Sequence, residues 1–263
     1  MSEVGADTLA SALLARIEDA GLNASAPPAQ LWLDGWLVRL APGKAHRARC
    51  VNALAPGTRP LADKLLECAE LYAAVGLPLF IRITPLTQPA SLDAELDRVG
   101  WHRVDPTRVM VSQDLSALAA PDWPVGYVAR DVDVETFAAV AARLRGSTPL
   151  QEQSHALRLT HSPLPWARQV VVAADGEPVA CGQSARQADL IGVYDVLTAD
   201  AHQGRGVAAA LCQSLLVDAR GAGARVAYLQ VGADNEGAQR LYRRLGFSDA
   251  YGYHYRTPQA DSA

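Results

Sequence analysis

The spacing of apolar and polar residues predicts alternating helices and strands over most of the C-terminal half of the chain. Apolar residues recur at helical spacing over 134–145, and a more polar helical pattern follows over 151–161. The remaining elements are predicted as strands over 169–174, 179–185, 189–198, 225–231 and 247–255, and as helices over 207–220 and 235–245. This order is typical of a mixed sheet with helices on its faces. The predicted fold class is therefore α/β, with a mixed α+β sheet.

The N-terminal half is predicted to repeat the last part of this order, in which helices alternate with strands. Helices are predicted over 61–75 and 92–99, and strands over 78–84 and 101–111. Placing Gly100-Trp101 on Gly246-Phe247, 146 residues later, aligns the strands that precede them with a small shift. This alignment predicts a divergent internal repeat, although helix-glycine-aromatic is a short pattern that also arises by chance.

A break between the two halves lies at 119–126. Two prolines and a glycine in this stretch interrupt any periodic pattern. We therefore predict a first lobe over residues 1–120 and a second over 125–263. A chain of 263 residues is long enough for two compact lobes of about 100–150 residues each.

The composition is that of a globular protein with no strong charge bias. Hydrophobic residues make up 49% of the chain and charged residues 20%. The formal net charge of −4 disfavours a nucleic acid or an anionic membrane as partner. The four cysteines contain no CxxC pair, so we expect buried thiols rather than a metal site or a disulfide framework. With no secretory signal and no apolar run of ~18 residues, the expected location is cytoplasmic.

The segment 195–208 is the most informative about chemistry, because a predicted strand passes there through a glycine-bearing turn into a helix. Such a turn leaves backbone N–H groups without helical partners beside the positive end of the helix dipole. Small residues at Gly204, Gly206 and Ala208 would let a phosphate approach the backbone. The pattern predicts a diphosphate site, and a tight turn without a ligand is the alternative. Neither a Walker GxxxxGK[ST] nor a dinucleotide GxGxxG occurs here, which leaves a phosphate-bearing cofactor of another kind.

Two motifs of the second lobe resemble the GNAT superfamily of N-acetyltransferases. Gln203-Gly-Arg-Gly206-Val-Ala208 is similar to the [Q/R]-x-x-G-x-[G/A] signature of the family at its strand-to-helix turn. The segment 235–247, which reads Asn-Glu-Gly-Ala-Gln-Arg-Leu-Tyr-Arg-Arg-Leu-Gly-Phe, is similar to the family's N-x-x-A-x-x-L-Y-x-x-x-G-F. The motifs occur in the order and at the distance found in the family, and the resemblance covers about residues 125–256. It implies two tandem GNAT lobes.

The resemblance implies that acetyl-CoA is the acyl donor. In the family, amides of the turn bind its diphosphate, the preceding strand pairs with the pantetheine arm, and an amide there holds the thioester oxygen as it gains charge. Asn235 matches a position that contacts the cofactor, and a helix N-cap is an equally good interpretation of it. The residues implied in cofactor binding are Val196, Leu197, Thr198, Gln203, Gly204, Arg205, Gly206, Val207, Ala208, Ala209 and Asn235.

The resemblance also implies residues for proton transfer. Tyr242 falls where many members keep a tyrosine that protonates the departing CoA thiolate, and an aromatic packing residue is the alternative. Asp195 is the candidate base, since members often use a carboxylate one or two positions from it. A solvated or ion-paired acid, or relay through water to a more distant group, are its alternatives. His155 and His161 are weaker candidates.

The first lobe departs from the family pattern. The segment 55–60 has one glycine between two prolines, and prolines remove backbone donors. The 146-residue offset also places Leu96 where the second lobe has Tyr242. We therefore expect a degenerate GNAT-like lobe that serves as a scaffold or shapes the acceptor pocket.

The predicted function is transfer of an acetyl group from acetyl-CoA to a primary amine of a small-molecule or peptide acceptor, by direct attack and without a metal. The main alternative is a regulatory pseudoenzyme that binds acyl-CoA without turnover. Mycothiol-synthase-like acetyltransferases and peptidyl transferases that use aminoacyl-tRNA are further tandem relatives, and a pure interaction protein is least favoured. We expect a monomer or a homodimer.

Overall fold

The computed structural model describes residues 3–259 of the chain. The helices are α1 (Glu3–Ala24), α2 (Leu61–Ala74), α3 (Leu92–Arg98), α4 (Val134–Arg145), α5 (Pro149–Thr160), α6 (Val207–Gly221) and α7 (Glu236–Arg244). The strands are β1 (Gln30–Leu33), β2 (Trp36–Arg39), β3 (Val51–Ala53), β4 (Ile81–Ile83), β5 (His102–Ser112), β6 (Tyr127–Asp131), β7 (Trp166–Ala173), β8 (Pro178–Gln187), β9 (Leu190–Thr198), β10 (Val226–Gly232) and β11 (Ser248–Thr257). No helix in this range is long and apolar enough to cross a membrane.

Local sequence signals account for where several helices begin and end. Asp133 caps α4 by accepting a hydrogen bond from the Thr136 amide, and Gly146 ends the helix in the left-handed conformation. Thr148 and Gln151 form a capping box at the start of α5. Because these signals are local, the predicted helix 134–145 coincides with α4. The bounds of the other predicted helices differ from those in the structure by about two residues or fewer.

The structure divides into two compact units. The first comprises Met1–Ala24, Val109–Val231 and Asn235–Ala250, and the second comprises Ser25–Arg108, Gly232–Asp234 and Tyr251–Ala263. The chain passes between them after α1, within β5, at either side of 232–234 and within β11. The lobes predicted over 1–120 and 125–263 stay a prediction.

In the first unit, β6, β7, β8 and β9 form an antiparallel meander, and β10 adds to β9 in parallel. On one face of this sheet, α6 packs through Leu211 and Leu215 against Val171 of β7. On the opposite face, Phe137 of α4 packs against Val170. Parallel and antiparallel pairs in one sheet, with helices on both faces, confirm the predicted α/β class.

Two irregularities open this sheet near the end of β9. The β9–β10 ladder ends at the pair Val193–Leu229, although β9 continues to Thr198 and β10 to Gly232. A bulge in the β8–β9 ladder falls at Asp195, whose φ of 50° is left-handed. Residues 194–198 therefore have no ladder partner on the β10 side.

The second unit contains the short strands β1 to β4 and has its own core. Strands β1, β2 and β3 are antiparallel, β3 and β4 are parallel with α2 between them, and the end of β11 pairs antiparallel with β4. Its core is built around Trp36, Cys68, Tyr72, Ile81 and Leu96.

Helix positions in the two halves follow the predicted offset of 146 residues. Helix α2 begins at Leu61 and α6 at Val207, so their starts match at this offset. Helices α3 and α7 end in the same way. The carbonyls of Leu96 and Tyr242 each accept a hydrogen bond of 3.0 Å from the backbone amide of the aromatic residue that follows a left-handed glycine. The divergent internal repeat stays a prediction.

Candidate functional site

A turn between β9 and α6 forms the centre of the site. Gly204 and Gly206 have φ of 72° and 82°, a region that favours glycine. The Gln203 side chain closes the turn, donating hydrogen bonds of 3.2 Å to the Thr198 carbonyl and 2.9 Å to Asp200 Oδ1. The Gln203 side chain thus holds the turn in place, and the backbone amides of the turn take no part in these hydrogen bonds.

Six successive backbone amides, those of residues 204–209, donate no hydrogen bond within the described part of the chain. Gly206 caps α6 without a side-chain acceptor, and the first bond into the helix is donated by Ala210 to the Gly206 carbonyl at 3.1 Å. Unsatisfied amides at a helix N-terminus, beside the positive end of its dipole, attract anions.

An open cleft of about 480 Å³ lies against these amides. Of the residues predicted to bind the cofactor, those that line the cleft are Val196, Thr198, Gln203, Gly204, Gly206, Val207, Ala208, Ala209 and Asn235. Leu197 and Arg205 are not among the lining residues. One cleft therefore brings together the β9 backbone, the amide turn and the start of α7.

Asn235 and Tyr242 face the cleft from the start and the second turn of α7. The Asn235 side chain accepts a 3.0 Å hydrogen bond from the Ala238 amide, so it caps the helix and borders the cleft at once. Tyr242 is 9% exposed, and burial raises the pKa of its phenol. The phenol therefore keeps its proton at neutral pH, as a proton donor must.

Asp195 does not line the cleft. Its carboxylate accepts hydrogen bonds of 2.6 Å from Arg145 Nη2 and 2.6 Å from Gln183 Nε2, and His155 Nε2 lies 3.1 Å from Oδ2. These partners outweigh burial and hold the pKa of Asp195 well below its usual value. A carboxylate held in this way is a weak proton acceptor, so the base predicted at Asp195 stays a prediction, with His155 now in contact with it.

His155 and His161 occupy different environments, although both lie on or directly after α5. The His155 side chain is 11% exposed and its ring packs edge-on against Phe137, with centroids 6.2 Å apart. His161 is exposed, and its Nδ1 contacts the Leu157 carbonyl at 2.8 Å. Only His155 therefore joins the Asp195 cluster.

The sequence reasoning missed three basic residues that line the cleft: His202, Arg240 and Arg244. His202 Nδ1 lies 3.0 Å from the Tyr127 hydroxyl, and Arg240 pairs with Glu236 one turn away. Arg240 and Arg244 are four residues apart and therefore share one face of α7, a spacing that could have indicated a basic edge on this helix.

Comparison with known proteins agrees with this geometry. The sequence profile of the Acetyltransferase (GNAT) family matches residues 132–247. The chain is also 26% identical over 228 residues to the uncharacterized N-acetyltransferase YobR of Bacillus subtilis (strain 168), covering 84% of this chain and 89% of that protein.

Solved structures share the fold. A GCN5-related N-acetyltransferase from Kribbella flavida matches with a TM-score of 0.67 and 22% identity, over 94% of this chain and 96% of that one. A tandem GNAT protein from the clavulanic acid biosynthesis pathway matches with a TM-score of 0.62 and 16% identity, over 79% of this chain and 73% of that one.

Residues 132–247, the segment that contains the cleft, thus match the GNAT acetyltransferase family. This match and the N-acetyltransferase relative identify the protein as an acyltransferase.

Proposed function

We propose that this protein transfers an acetyl group from acetyl-CoA to a primary amine. The observation that carries the proposal is the run of six free amides at 204–209 along one side of the cleft. A diphosphate needs several donors and gains from the helix dipole, and this turn offers both. GNAT membership supports acetyl-CoA as the donor.

Each part of the cleft suits a part of acetyl-CoA. The amides of 204–209 would hold the diphosphate, since glycine at 204 and 206 leaves the backbone uncovered. The β10-facing edge of Val196, Leu197 and Thr198, which has no ladder partner, would pair with the amides of the pantetheine arm. Asn235 would contact the cofactor from the start of α7. When bound, acetyl-CoA supplies the activated acyl group.

Proton movements fall to this chain's own side chains. Tyr242 would donate its phenolic proton to the thiolate that leaves, because it faces the cleft and remains protonated. Asp195, through its contact with His155, would act on the acceptor side, where the incoming amine must lose a proton. Arg205 does not line the cleft, and it is proposed to bind through its backbone amide, which belongs to the same run of free amides.

The N-terminal copy is proposed to be degenerate, on the ground that its equivalent turn is already filled. At the 146-residue offset, residues 58–63 correspond to 204–209. The amides of Thr58 and Arg59 both donate to the Asp34 carboxylate at 2.9 Å, and Pro60 has no amide hydrogen to offer. An internal carboxylate therefore occupies the place that an external anion would take.

The proposed acceptor is a small-molecule or peptide amine, and the protein is proposed to act in the cytoplasm as a monomer or homodimer. A regulatory protein that binds acyl-CoA without turnover remains the alternative. The family and the named N-acetyltransferase relative support the enzyme.

Two measurements test the proposal. Acetyl-CoA at 100 times its Kd should stabilise the fold by about 2.7 kcal/mol, which raises Tm by several degrees. Release of free thiol from acetyl-CoA should then accelerate with some members of a panel of amines, polyamines and peptides. An unchanged Tm would contradict the cofactor assignment, whereas a raised Tm without thiol release for any amine would favour the regulatory alternative.

A further inference from the structure

A second polar cluster lies in the first unit, on the sheet face opposite α6. Residue alternation along β7 establishes this face, since Gln169 bonds to Asp218 of α6 while Val170 packs against Phe137 of α4. Arg168 therefore shares the α4 and α5 face with Val170. Gln183, directly opposite Arg168 in the β7–β8 ladder, bonds to Asp195 on the same face.

Two atoms of this cluster are buried without hydrogen-bond partners, Arg168 Nε and Gln183 Oε1. Gln183 is fully buried, and the bond from its Nε2 to Asp195 fixes which way its amide points. Atoms in this state occur elsewhere among the described residues too, and here three of them lie in one cluster, which suits a polar ligand. His155 Nε2 is a third such atom, and it lies 3.1 Å from Asp195 Oδ2.

Arg168 is a cation without a carboxylate partner. Burial lowers the pKa of its guanidinium, and Glu135 is the charged group that opposes this effect, although the two make no ion pair within the described residues. The ring of Trp166 lies 5.5 Å from the guanidinium carbon. The guanidinium geometry suits a bidentate anion such as a carboxylate or phosphate.

The charged groups that face Asp195 come from two helices. Arg145 of α4, with His155 and Arg158 of α5, act on this carboxylate. Arg168 adds a further guanidinium to the same sheet face, and Glu135 is the carboxylate that acts on it.

The geometry points to an acceptor that is a small amine with its own anionic group, the amine held near Gln183 and His155 and the anion held by Arg168. The inference rests on the proposed acetyl transfer and names its acceptor class. Arg168 and Gln183 are directly opposite each other on strands whose backbones lie about 4.8 Å apart, so one small molecule can contact both side chains.

The proton balance follows from these contacts. The acceptor arrives as an ammonium ion, which the Asp195 carboxylate attracts, and it passes one proton to the imidazole of His155. The free amine then forms the N–C bond while the C–S bond breaks, and the thiolate takes its proton from Tyr242. The second ammonium proton is lost to solvent as the amide forms. The proton on His155 then replaces, through solvent, the one that Tyr242 gave, so one proton is released per turnover. In this arrangement His155 is the base and Asp195 its positioning residue.

The test uses matched amines with and without an anion. β-Alanine and γ-aminobutyrate are compared with propylamine and butylamine, and phosphoethanolamine with ethanolamine, by thiol release from acetyl-CoA. The anionic member of at least one pair should have at least a tenfold higher kcat/KM. Arg168→Gln should reduce this ratio at least tenfold through KM, whereas Arg186→Gln, on the opposite face of β8, should leave it unchanged.

A binding measurement keeps the test decisive if turnover is slow. Titration calorimetry of β-alanine, γ-aminobutyrate and phosphoethanolamine into the CoA complex should show binding of at least one, weakened at least tenfold in Arg168→Gln. Equal or better use of the neutral amines, or no binding of any anionic amine while acetyl-CoA still raises Tm, overturns this inference alone. Failure of acetyl-CoA to bind overturns the proposed function itself.

Discussion

Replacing Gly206 with glutamate tests whether the amide turn binds a diphosphate. The glycine has a φ of 82° and lies at the start of α6, where the cleft meets the free amides. A non-glycine residue in the left-handed region costs about 1–2 kcal/mol of folding stability. A new side chain would meet only Pro124, 3.5 Å from the added Cβ, so the variant should fold.

The effect on binding should be much larger than the effect on folding. A carboxylate placed ~6 Å from a phosphate charge, at an effective dielectric constant of ~20, repels it by about 3 kcal/mol. This corresponds to a loss of affinity of about 100-fold or more, because every 1.4 kcal/mol is a factor of ten. The stabilisation of wild type by acetyl-CoA should therefore disappear in Gly206→Glu at the same ligand concentration.

Gly223 provides a matched control at the other end of the same helix. It also has a left-handed φ, of 101°, and an added Cβ there would meet nothing within 4 Å. Gly223→Glu therefore introduces the same strain and the same charge away from the cleft. Titration calorimetry with acetyl-CoA should show a wild-type Kd for Gly223→Glu and weak or no binding for Gly206→Glu. Similar affinities for the two variants would refute the amide turn as the anion site.

Three further changes test other parts of the site. Tyr242→Phe should leave acetyl-CoA affinity unchanged but reduce kcat in a thiol-release assay by roughly 10²–10⁴-fold, and an unaltered kcat would show that another group is the acid. Asn235→Ala should lower stability in urea unfolding by about 1 kcal/mol through loss of the helix cap, while Asn235→Asp should retain most of it. Asp34 has its pKa lowered by the Arg59 and Thr58 amides, so its contribution exists above pH ~4, the unfolded value, and is lost as pH falls toward the folded value. Asp34→Asn should therefore be less stable than wild type at pH 7, and this difference should shrink below pH 4; a difference that grows on acidification would contradict the assignment.

The elements that the sequence predicts well are those specified by neighbouring residues. Helix α4 lies at the predicted bounds because Asp133 and Gly146 mark its ends locally. The turn at 203–206 could be placed because glycine spacing determines its backbone. By contrast, α1 was not predicted, since its alanine-rich sequence gives little contrast between apolar and polar faces.

Contacts between distant residues could not be predicted from one sequence. Asp195 was chosen as a base for its position on the strand, but its partner Arg145 lies 50 residues away and Gln183 on another strand. The same limit applies to Asp34, which bonds to amides 24 and 25 residues later. In both cases the residue type was informative and the role depended on partners brought close by the fold.

The turns before α2 and α6, which are related by the offset of 146 residues, differ more in the groups that face them than in where the two helices begin. Both helices start at equivalent positions, and in both the first helical bond runs to the residue before the helix, Lys64 to Pro60 and Ala210 to Gly206. Of the residues 58–63, two donate their backbone amides to Asp34, and Pro60 has no amide hydrogen. All six amides of residues 204–209 remain free within the part of the chain that the structure describes. Removing Asp34 would restore only two amides, and the proline would still break the run. If the N-terminal lobe is a degenerate copy, as proposed, loss of its anion site would require no change of fold, because a proline and a single internal carboxylate would account for it.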